Sequence, residues 1–304
     1  MKYLIKNLCI GQAKSFFGLI FFIVFLFAAK SSNAQYYYFY NNKYYDKNLI
    51  VEIGPSIGLM NCFTDLGKRA GFIKDLNFNG GFYAAAMYRD VVGVRLEATW
   101  GKVEAADSLN KGKARLRNLS FRSDIQEIAL LAEFHPLMLK YYPQGPPRLS
   151  PYIMAGIGWF NFNPQANYNG LWIDLQPLHT EGEGFKEYPN HTPYRLSQIN
   201  IPAGAGFKYE LSEMFTIRGE LIYRFLFTDY LDDVSTTYID PTLFDKYLSP
   251  TEAAFAKILY SRQGEIKPGF VPAVGSIRGS PKHNDAYFSF NLKIGINLGR
   301  TRYK

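Results

Sequence analysis

Apolar and polar residues alternate along several stretches of this chain, and the longest alternation runs from Met214 to Asp233. Its odd positions are mostly apolar or aromatic, whereas its even positions include Arg218, Glu220 and Arg224. A period of two residues indicates a β-strand. One apolar and one ionic face, over a length that spans a bilayer at a tilt, are typical of a barrel with lipid outside and a polar interior.

The same alternation recurs along the chain and predicts eight strands in all. They lie at about 48–60, 80–89, 92–104, 123–134, 152–163, 198–211, 214–228 and 286–298. Long connections follow strands one, three, five and seven, and shorter ones follow the others. Outer-membrane barrels place long loops outside the cell and short turns in the periplasm. We therefore predict an all-β, eight-stranded antiparallel transmembrane barrel over 48–304, in the bacterial outer membrane, with both termini periplasmic.

The last long loop, about 229–285, is too long to lack structure of its own. It contains Ser249-Pro250-Thr251-Glu252, in which serine and glutamate form a capping box and proline occupies the first helical position. We expect a short helix over 253–260 in this extracellular loop.

The polar faces of the strands carry as many basic as acidic side chains. Those predicted to point inward are Glu52, Arg89, Arg95, Glu97, Glu127, Glu133, Lys208, Glu210, Arg218, Glu220, Arg224 and Lys293. The interior of an eight-stranded barrel is only wide enough for side chains. Balanced charge there suits a network of buried ion pairs. The sequence therefore predicts a plugged barrel rather than a diffusion pore.

The start of the chain predicts export. Lys2 and Lys6 precede an apolar run from Phe16 to Ala29, and small residues lead to Ala34. This pattern indicates a signal peptide over 1–34, although a membrane anchor is the alternative interpretation. Removing its four lysines lowers the net charge from +8 to +4, so we do not infer binding to nucleic acid. Only Cys62 then remains, which leaves no internal disulfide and no cysteine spacing for a metal.

An aromatic segment, 35–47, precedes the first strand. Its tyrosines are Tyr36, Tyr37, Tyr38, Tyr40, Tyr44 and Tyr45. They form either an interfacial collar or a docking strip for a periplasmic partner. The proline-rich link 139–149 between strands four and five contains Tyr141 and Tyr142. We treat these eight tyrosines as candidate partner contacts.

The sequence predicts no catalytic, cofactor or metal site. Asp232 or Asp233 with His283 would suit a surface protease, and Asp229, Asp232, Asp233 and Asp240 could offer hard oxygens to calcium. Neither spacing is diagnostic, and solvated acids or a pair with Arg278 are the favoured explanation of the acids. The chain contains no phosphate-binding loop.

A specific acidic motif directly follows the aromatic strand. It consists of Thr228, Asp229, Tyr230, Leu231, Asp232, Asp233, Val234 and Ser235, followed by Tyr238 and Asp240. An earlier set fits the same pattern: Glu52, Gly54, Gly58, Asn61, Phe63, Asp65 and Leu66. With these motifs the chain resembles the PorG-like outer-membrane barrels of the type IX secretion system, over about 48–298. The ending Arg300–Lys304 departs from ordinary barrels because it lacks a terminal phenylalanine.

The resemblance implies a non-enzymatic barrel without cofactor, in contact with outer-membrane lipid. It would tie a periplasmic ring, built from a lipoprotein and its partner subunit, to the outer membrane for protein transport and gliding motility. No nucleic acid and no small-molecule substrate are expected. The alternatives are a surface enzyme (a protease or lipid hydrolase), a small porin and an adhesin.

Overall fold

The computed structural model describes residues 49–66, 76–109, 112–140, 147–212 and 214–298. The predicted signal peptide and the aromatic segment 35–47 lie outside the described residues, and so do Tyr141 and Tyr142. The predictions made for these segments therefore stay predictions.

Nine strands are present in the described chain, and eight of them close into a barrel. They are β1 (Leu49–Phe63), β2 (Asn77–Tyr88), β3 (Val92–Ala106), β4 (Ser120–Phe134), β5 (Leu149–Tyr168), β6 (Leu171–Asp174), β7 (Ser197–Glu210), β8 (Phe215–Leu226) and β9 (Ala286–Leu298). The sheet order is β4-β3-β2-β1-β9-β8-β7-β5-β6, and β4 also pairs with β5, which closes the ring. Every pairing is antiparallel. The predicted fold class is confirmed.

Two predicted boundaries were wrong. The region 164–197, predicted as a loop, begins with the end of β5 and the whole of β6, because Asn169 and Gly170 adopt positive φ values and form a hairpin turn. The strand predicted over 214–228 ends two residues earlier, because β8 stops at Leu226. Beyond it, backbone N–H groups such as those of Leu231 and Ser235 bond to side chains.

The outer wall of the barrel is apolar. Its exposed aliphatic side chains include Val94, Leu96, Ile128, Leu130, Ile153, Ile157, Leu221, Leu292 and Ile294. Exposed aromatic side chains border this band: Tyr88, Phe207, Tyr209 and Phe215 lie towards the short turns, and Phe63, Phe78, Trp100, Trp159 and Phe225 towards the long loops. An apolar band between two aromatic girdles is what a barrel presents to a bilayer.

The described parts of the connections after β1, β3, β6 and β8 fold together over one end of the barrel, and we call them the cap. Its helices are α1 (Lys113–Arg117), α2 (Phe244–Tyr247), α3 (Pro250–Leu259) and α4 (Gln263–Ile266). Short 3₁₀ turns at Asp107–Leu109, Gln176–Leu178 and Pro241–Leu243 also belong to it, and a fourth, Pro136–Leu139, follows β4 at the other end. In the described chain, no helix combines the length and the apolar character needed to cross a membrane.

Helix α3 begins where the sequence predicts. The Ser249 hydroxyl accepts from the backbone N–H of Glu252, and the Glu252 carboxylate accepts from the backbone N–H of Ser249. Ala253, Ala256 and Leu259 form the buried face of the helix. The capping box therefore sets the start of α3, and the three apolar residues hold it in the cap.

Two apolar clusters fill the upper part of the molecule. The mouth cluster contains Met60, Leu66, Val103, Ala105, Leu119, Phe121, Ile125, Phe160, Phe162, Tyr194, Leu226, Leu231, Val234 and Tyr287. The cap cluster contains Ala166, Leu175, Leu178, Phe185, Tyr238, Ile239, Phe244, Ala253, Ala256, Leu259 and Tyr260. The mouth cluster joins strand ends to cap residues, so barrel and cap share one core.

Candidate functional site

Ten of the charges predicted for the interior lie buried inside the barrel. They are Glu52, Arg95, Glu97, Glu127, Glu133, Lys208, Arg218, Glu220, Arg224 and Lys293, and Glu210 is also buried. The placement of Arg89 was wrong. This residue is exposed in the turn after β2 with φ 53°, and its guanidinium lies over the ring of Tyr88. The alternation of β2 ends at Tyr88, so it no longer fixes where residue 89 points.

Arg218 on β8 is the centre of one half of the charge network. Its guanidinium binds Glu52 through two nitrogens at 2.7 and 2.9 Å, and Glu133 through the third at 2.8 Å. The ring of Tyr83 lies 5.5 Å from the guanidinium carbon, and the Tyr83 hydroxyl donates to Glu52. One basic residue thus connects β1, β4 and β8 across the lumen.

Arg95 and Lys293 form the other half. Arg95 lies 2.5 Å from Glu220, 3.1 Å from Glu133 and 3.3 Å from Glu97. Lys293 lies 2.5 Å from Glu97 and 2.9 Å from Glu220. Since Glu133 binds both arginines, the two halves are joined. Removing one partner of such a network leaves a buried charge uncompensated.

The mouth cluster seals the lumen above these charges. Arg224, the uppermost of the buried bases on β8, binds Glu127 at 3.0 Å, and the ring of Tyr287 lies over its guanidinium. Tyr287 then packs against Phe160, with ring centroids 5.8 Å apart. Polar and apolar layers therefore follow one another with close contacts, and the interior is filled rather than open.

The acidic motif lies in the core of the cap. Asp232 accepts hydrogen bonds from the backbone N–H groups of Leu66 and Val234, at 3.1 and 3.0 Å. Asp233, at φ 61°, accepts from the hydroxyls of Thr180 and Tyr194 at 2.6 and 2.7 Å. The motif carboxylates thus join the loop after β8 to the loops after β1 and β6.

A second carboxylate, Glu181, completes this connection. It accepts from the backbone N–H of Ser235 at 3.0 Å and of Thr236 at 2.7 Å, and from Arg278 at 2.9 Å. Arg278 also donates to the backbone carbonyl of Asp233. The expected pairing of Arg278 with the motif is present, but its principal carboxylate is Glu181, which the sequence did not single out.

Burial changes the acidity of the cap carboxyls. Desolvation raises the pKa of Asp229 to about 8, of Asp232 to about 7 and of Asp233 to about 6. Desolvation, with the negative charges nearby, also raises the pKa values of Glu183 and Asp285 well above the usual range. The cap therefore holds several carboxyls that gain or lose a proton near neutral pH.

The other motif residues have structural contacts. Thr228, Leu231, Val234, Ser235 and Tyr238 are buried, and Tyr230 stacks on Tyr194 with centroids 4.8 Å apart. Asp240 accepts from the backbone N–H of Thr242 and caps the 3₁₀ turn Pro241–Leu243.

Neither of the two acid sites that the sequence raised as alternatives is assembled here. His283 is exposed, whereas Asp232 and Asp233 are buried and bind other partners. Among the described residues, no group of three or more His, Cys, Asp or Glu side chains is arranged to hold a metal ion.

A hydrogen-bonded chain that the sequence analysis missed lies near the short-turn end. The two ring nitrogens of His135 lie 3.1 Å from the Ser150 hydroxyl and 3.4 Å from the Glu133 carboxylate, and Tyr152 stacks on the imidazole. Ser150 is only 1% exposed, and Glu133 is also bound by Arg95 and Arg218. The combination resembles that of a serine hydrolase, but its hydroxyl is closed to substrate. Its members lie within 133–150, but His135 and Ser150 flank the link between β4 and β5, so only the folded chain shows that they touch.

These features define a class: an eight-stranded β-barrel of the outer-membrane type, with a charged, filled lumen and a folded cap. The family model described as "Domain of unknown function (DUF6089)" matches residues 33–241. The chain therefore belongs to the DUF6089 family.

Comparison with solved structures found outer-membrane proteins of low similarity. The attachment invasion locus protein Ail of Yersinia pestis is 10% identical with a TM-score of 0.38, and the match covers 83% of this chain and 100% of that one. The Neisserial surface protein A is 8% identical with a TM-score of 0.36, and the match covers 82% of this chain and 97% of that one. Outer membrane protein W of E. coli is 14% identical with a TM-score of 0.34, and the match covers 84% of this chain and 100% of that one. Identities and TM-scores this low imply nothing about a shared activity. A search of the curated proteins found no match.

Proposed function

We propose that this protein is a non-enzymatic barrel of the bacterial outer membrane that anchors the periplasmic ring of a type IX secretion system, including systems that drive gliding. The observation that carries the proposal is the filled interior. Ion pairs occupy the lumen and the mouth cluster lies over them, while the outer wall is apolar. A barrel built in this way offers partners its wall and its two ends rather than a channel.

The arrangement of the strands supports an orientation. Leu49 at the start of β1 pairs with Tyr88, immediately before the turn 89–91, and Leu298 pairs with Val51. The chain therefore enters and leaves the barrel at the end with the short turns. By the usual rule for such barrels that end faces the periplasm and the cap faces outward.

The buried position of the acidic motif changes where a partner should be sought. Asp232, Asp233 and Val234 are at most 1% exposed, so they hold the cap together and offer little to a partner. The candidate contacts Tyr36, Tyr37, Tyr38, Tyr40, Tyr44 and Tyr45 precede β1, and Tyr141 and Tyr142 lie between β4 and β5. We infer that the ring subunits bind at the short-turn end through these segments.

Crosslinking in cells tests the proposal. A photo-crosslinking residue would replace Tyr38, Tyr45, Tyr142 or Lys304, with Val271 in the cap as the matched control because it is 66% exposed. We expect crosslinks to periplasmic ring subunits from the first four positions and none from Val271. Ring crosslinks from Val271 alone would reverse the orientation, and their absence from all five positions would contradict the anchoring role.

A surface-binding role is the second candidate, because the cap exposes apolar side chains. Phe270, Val271, Val274 and Ile277 are between 38% and 81% exposed. Deleting the loop 229–285 would not test this role, since its residues form much of the cap cluster. The double variant V271S/I277S leaves the buried residues intact. Loss of adhesion in that variant, with the ring crosslinks unchanged, would favour the adhesin.

A further inference from the structure

The outward faces of β3, β4 and β5 change character along each strand. Beyond Trp100 on β3, Ile128 on β4 and Trp159 on β5, the next outward-facing positions towards the cap are polar, and they are exposed or half-buried. They are Lys102 and Glu104, then Gln126, Asp124 and Arg122, then Asn161, Asn163 and Gln165. On β8 and β1 the exposed positions remain apolar up to Phe225 and Phe63. The polar area therefore occupies one side of the barrel wall.

The strand register joins these residues into one surface. Lys102 pairs with Asp124, which pairs with Asn163, and Glu104 pairs with Arg122, which pairs with Gln165. Side chains on one face of adjacent strands at paired positions are direct neighbours. The hairpin of β5 and β6 adds Asp174 opposite Gln165 and Trp172 opposite Asn167. We call these residues the wall patch.

The wall patch is ordered by its own contacts. The amide groups of Asn163 and Gln165 both donate to one oxygen of Asp174, at 2.9 and 2.6 Å. The Arg122 guanidinium donates to the side-chain amide oxygen of Gln165 at 3.1 Å, and its central carbon lies 3.7 Å from the ring centre of Trp172. Trp172 nevertheless remains 41% exposed. A strand face that only contacts solvent does not require an indole packed against a guanidinium group. It also does not require two side-chain amides that donate to the same carboxylate oxygen.

We propose that the wall patch binds the sugar headgroup of an outer-leaflet glycolipid. The patch continues the lipid-facing band directly beyond its aromatic girdle, so in a membrane it lies beside the headgroup layer. Amide, carboxylate and guanidinium groups beside an exposed indole match a ligand that has hydroxyls and apolar ring faces.

The charge of the wall patch favours a sugar over a phosphate as its ligand. Lys102 and Arg122 face three acids, Glu104, Asp124 and Asp174, and Lys102 lies 3.9 Å from Asp124. This excess of negative charge disfavours an anionic phosphate as the principal ligand. The proposal takes only the outward orientation of the cap from the function proposed above.

Tryptophan fluorescence offers a direct test. The chain contains three tryptophans, Trp100, Trp159 and Trp172, so the variant W100F/W159F retains a single reporter within the patch. The purified variant in detergent micelles would be titrated with a lipid-free, uncharged oligosaccharide of the kind that glycolipid headgroups carry. We expect a saturable change in Trp172 emission. Glycerol phosphate, the phospholipid headgroup, would be titrated in parallel and should cause none.

Two further substitutions, each made in W100F/W159F, test whether the wall patch itself binds the sugar. Asp174→Ala removes the acceptor that holds Asn163 and Gln165, and we expect the dissociation constant to rise about tenfold or more, as for the truncation of a central contact residue. Leu171→Ala changes an exposed side chain of the same hairpin and should alter the constant less than twofold. Circular dichroism of both variants verifies that the barrel remains folded.

The outcomes distinguish this proposal from the ring-anchoring function. No saturable response to the oligosaccharide, an equal response in D174A, or tighter binding of glycerol phosphate would each overturn the sugar surface. Because the assay uses the purified protein, its result does not depend on whether ring crosslinks are found in cells.

Discussion

The lumen and the cap both bury carboxylates, but they stabilise them in different ways. In the lumen, Glu52 and Glu220 each lie against a guanidinium or an ammonium group. In the cap, Asp232 accepts from backbone N–H groups and Asp233 mainly from hydroxyls, with Arg278 as a more distant base. Opposite charges compensate the lumen acids. Neutral donors compensate Asp232 and Asp233 less completely, as the raised pKa values of these two carboxyls indicate.

This difference suggests different mechanical roles for the two regions. Ion pairs that join strands on opposite sides of the lumen resist separation of the barrel wall, because each separation exposes several charges together. The cap carboxylates instead join loops from different parts of the chain, and some of them can be neutralised by one proton. We therefore expect the lumen to be insensitive to pH over the neutral range and the cap to respond to it.

The largest expected effect comes from removing the central base of the lumen. Arg218→Met should destabilise the barrel by about 3 to 5 kcal/mol, because Glu52 and Glu133 each lose a buried partner. Urea-induced unfolding of the protein in micelles, followed by tryptophan fluorescence, measures the change. Arg89→Met is the matched control, since this arginine is exposed in a turn, and its effect should be close to zero. Equal effects of the two substitutions would remove the distinction between a paired lumen and its surroundings.

A smaller effect, confined to the cap, is expected at the acidic motif. Asp232→Ala leaves the backbone N–H groups of Leu66 and Val234 without their acceptor, which should cost about 2 to 4 kcal/mol of cap stability. Limited proteolysis should then cut within 229–285 while the barrel strands stay protected.

Asp240, the last aspartate of the same motif, supplies the control. Asp240→Ala should have a much smaller effect, because Asp240 caps a turn that water can reach. If D232A were no more sensitive to protease than D240A, the acidic motif would not be what holds the cap.

The sequence could predict the lumen because a strand fixes its side chains. Once the period of two is recognised, Arg95, Glu97, Arg218 and Glu220 must all point to one side, and closure of the sheet makes that side the interior. The prediction was wrong at Arg89, where a turn with positive φ interrupts the alternation.

The cap could be predicted only where its structure is local. The capping box fixed the start of α3 within four consecutive residues, Ser249 to Glu252. The contacts of Glu181 with Ser235, Thr236 and Arg278 span more than fifty residues, and no periodicity relates these positions. The acidic motif was recognisable as a pattern, but its burial depends on loops that meet only in the folded chain.

The last and most graded prediction concerns pH. The pKa values of Asp233, Asp232 and Asp229 are raised to about 6, 7 and 8, above those of unfolded aspartate. A carboxyl with a raised pKa binds more protons in the folded cap, so its contribution to stability is full below pH 4 and is lost as the pH rises through the folded value. The groups that face these acids are Asp65, Arg117, Glu181, Glu183, Arg278 and Asp285. The arginines keep their charge, so the cap should loosen progressively between about pH 4 and 8.

Hydrogen–deuterium exchange of the segment 229–240, corrected for the intrinsic effect of pH, measures this loosening. Exchange should be faster at pH 8.5 than at pH 5.5, whereas the strands β1 and β8 should change little because their acids face fixed positive charges. The Asp229→Asn variant has no carboxyl at position 229 to ionise. The increase in exchange towards pH 8 should therefore be smaller in this variant than in the unchanged protein. The two regions would compensate their carboxylates in the same way if the cap were equally protected from exchange at both pH values. The same conclusion would follow if β1 and β8 responded to pH as strongly as the cap.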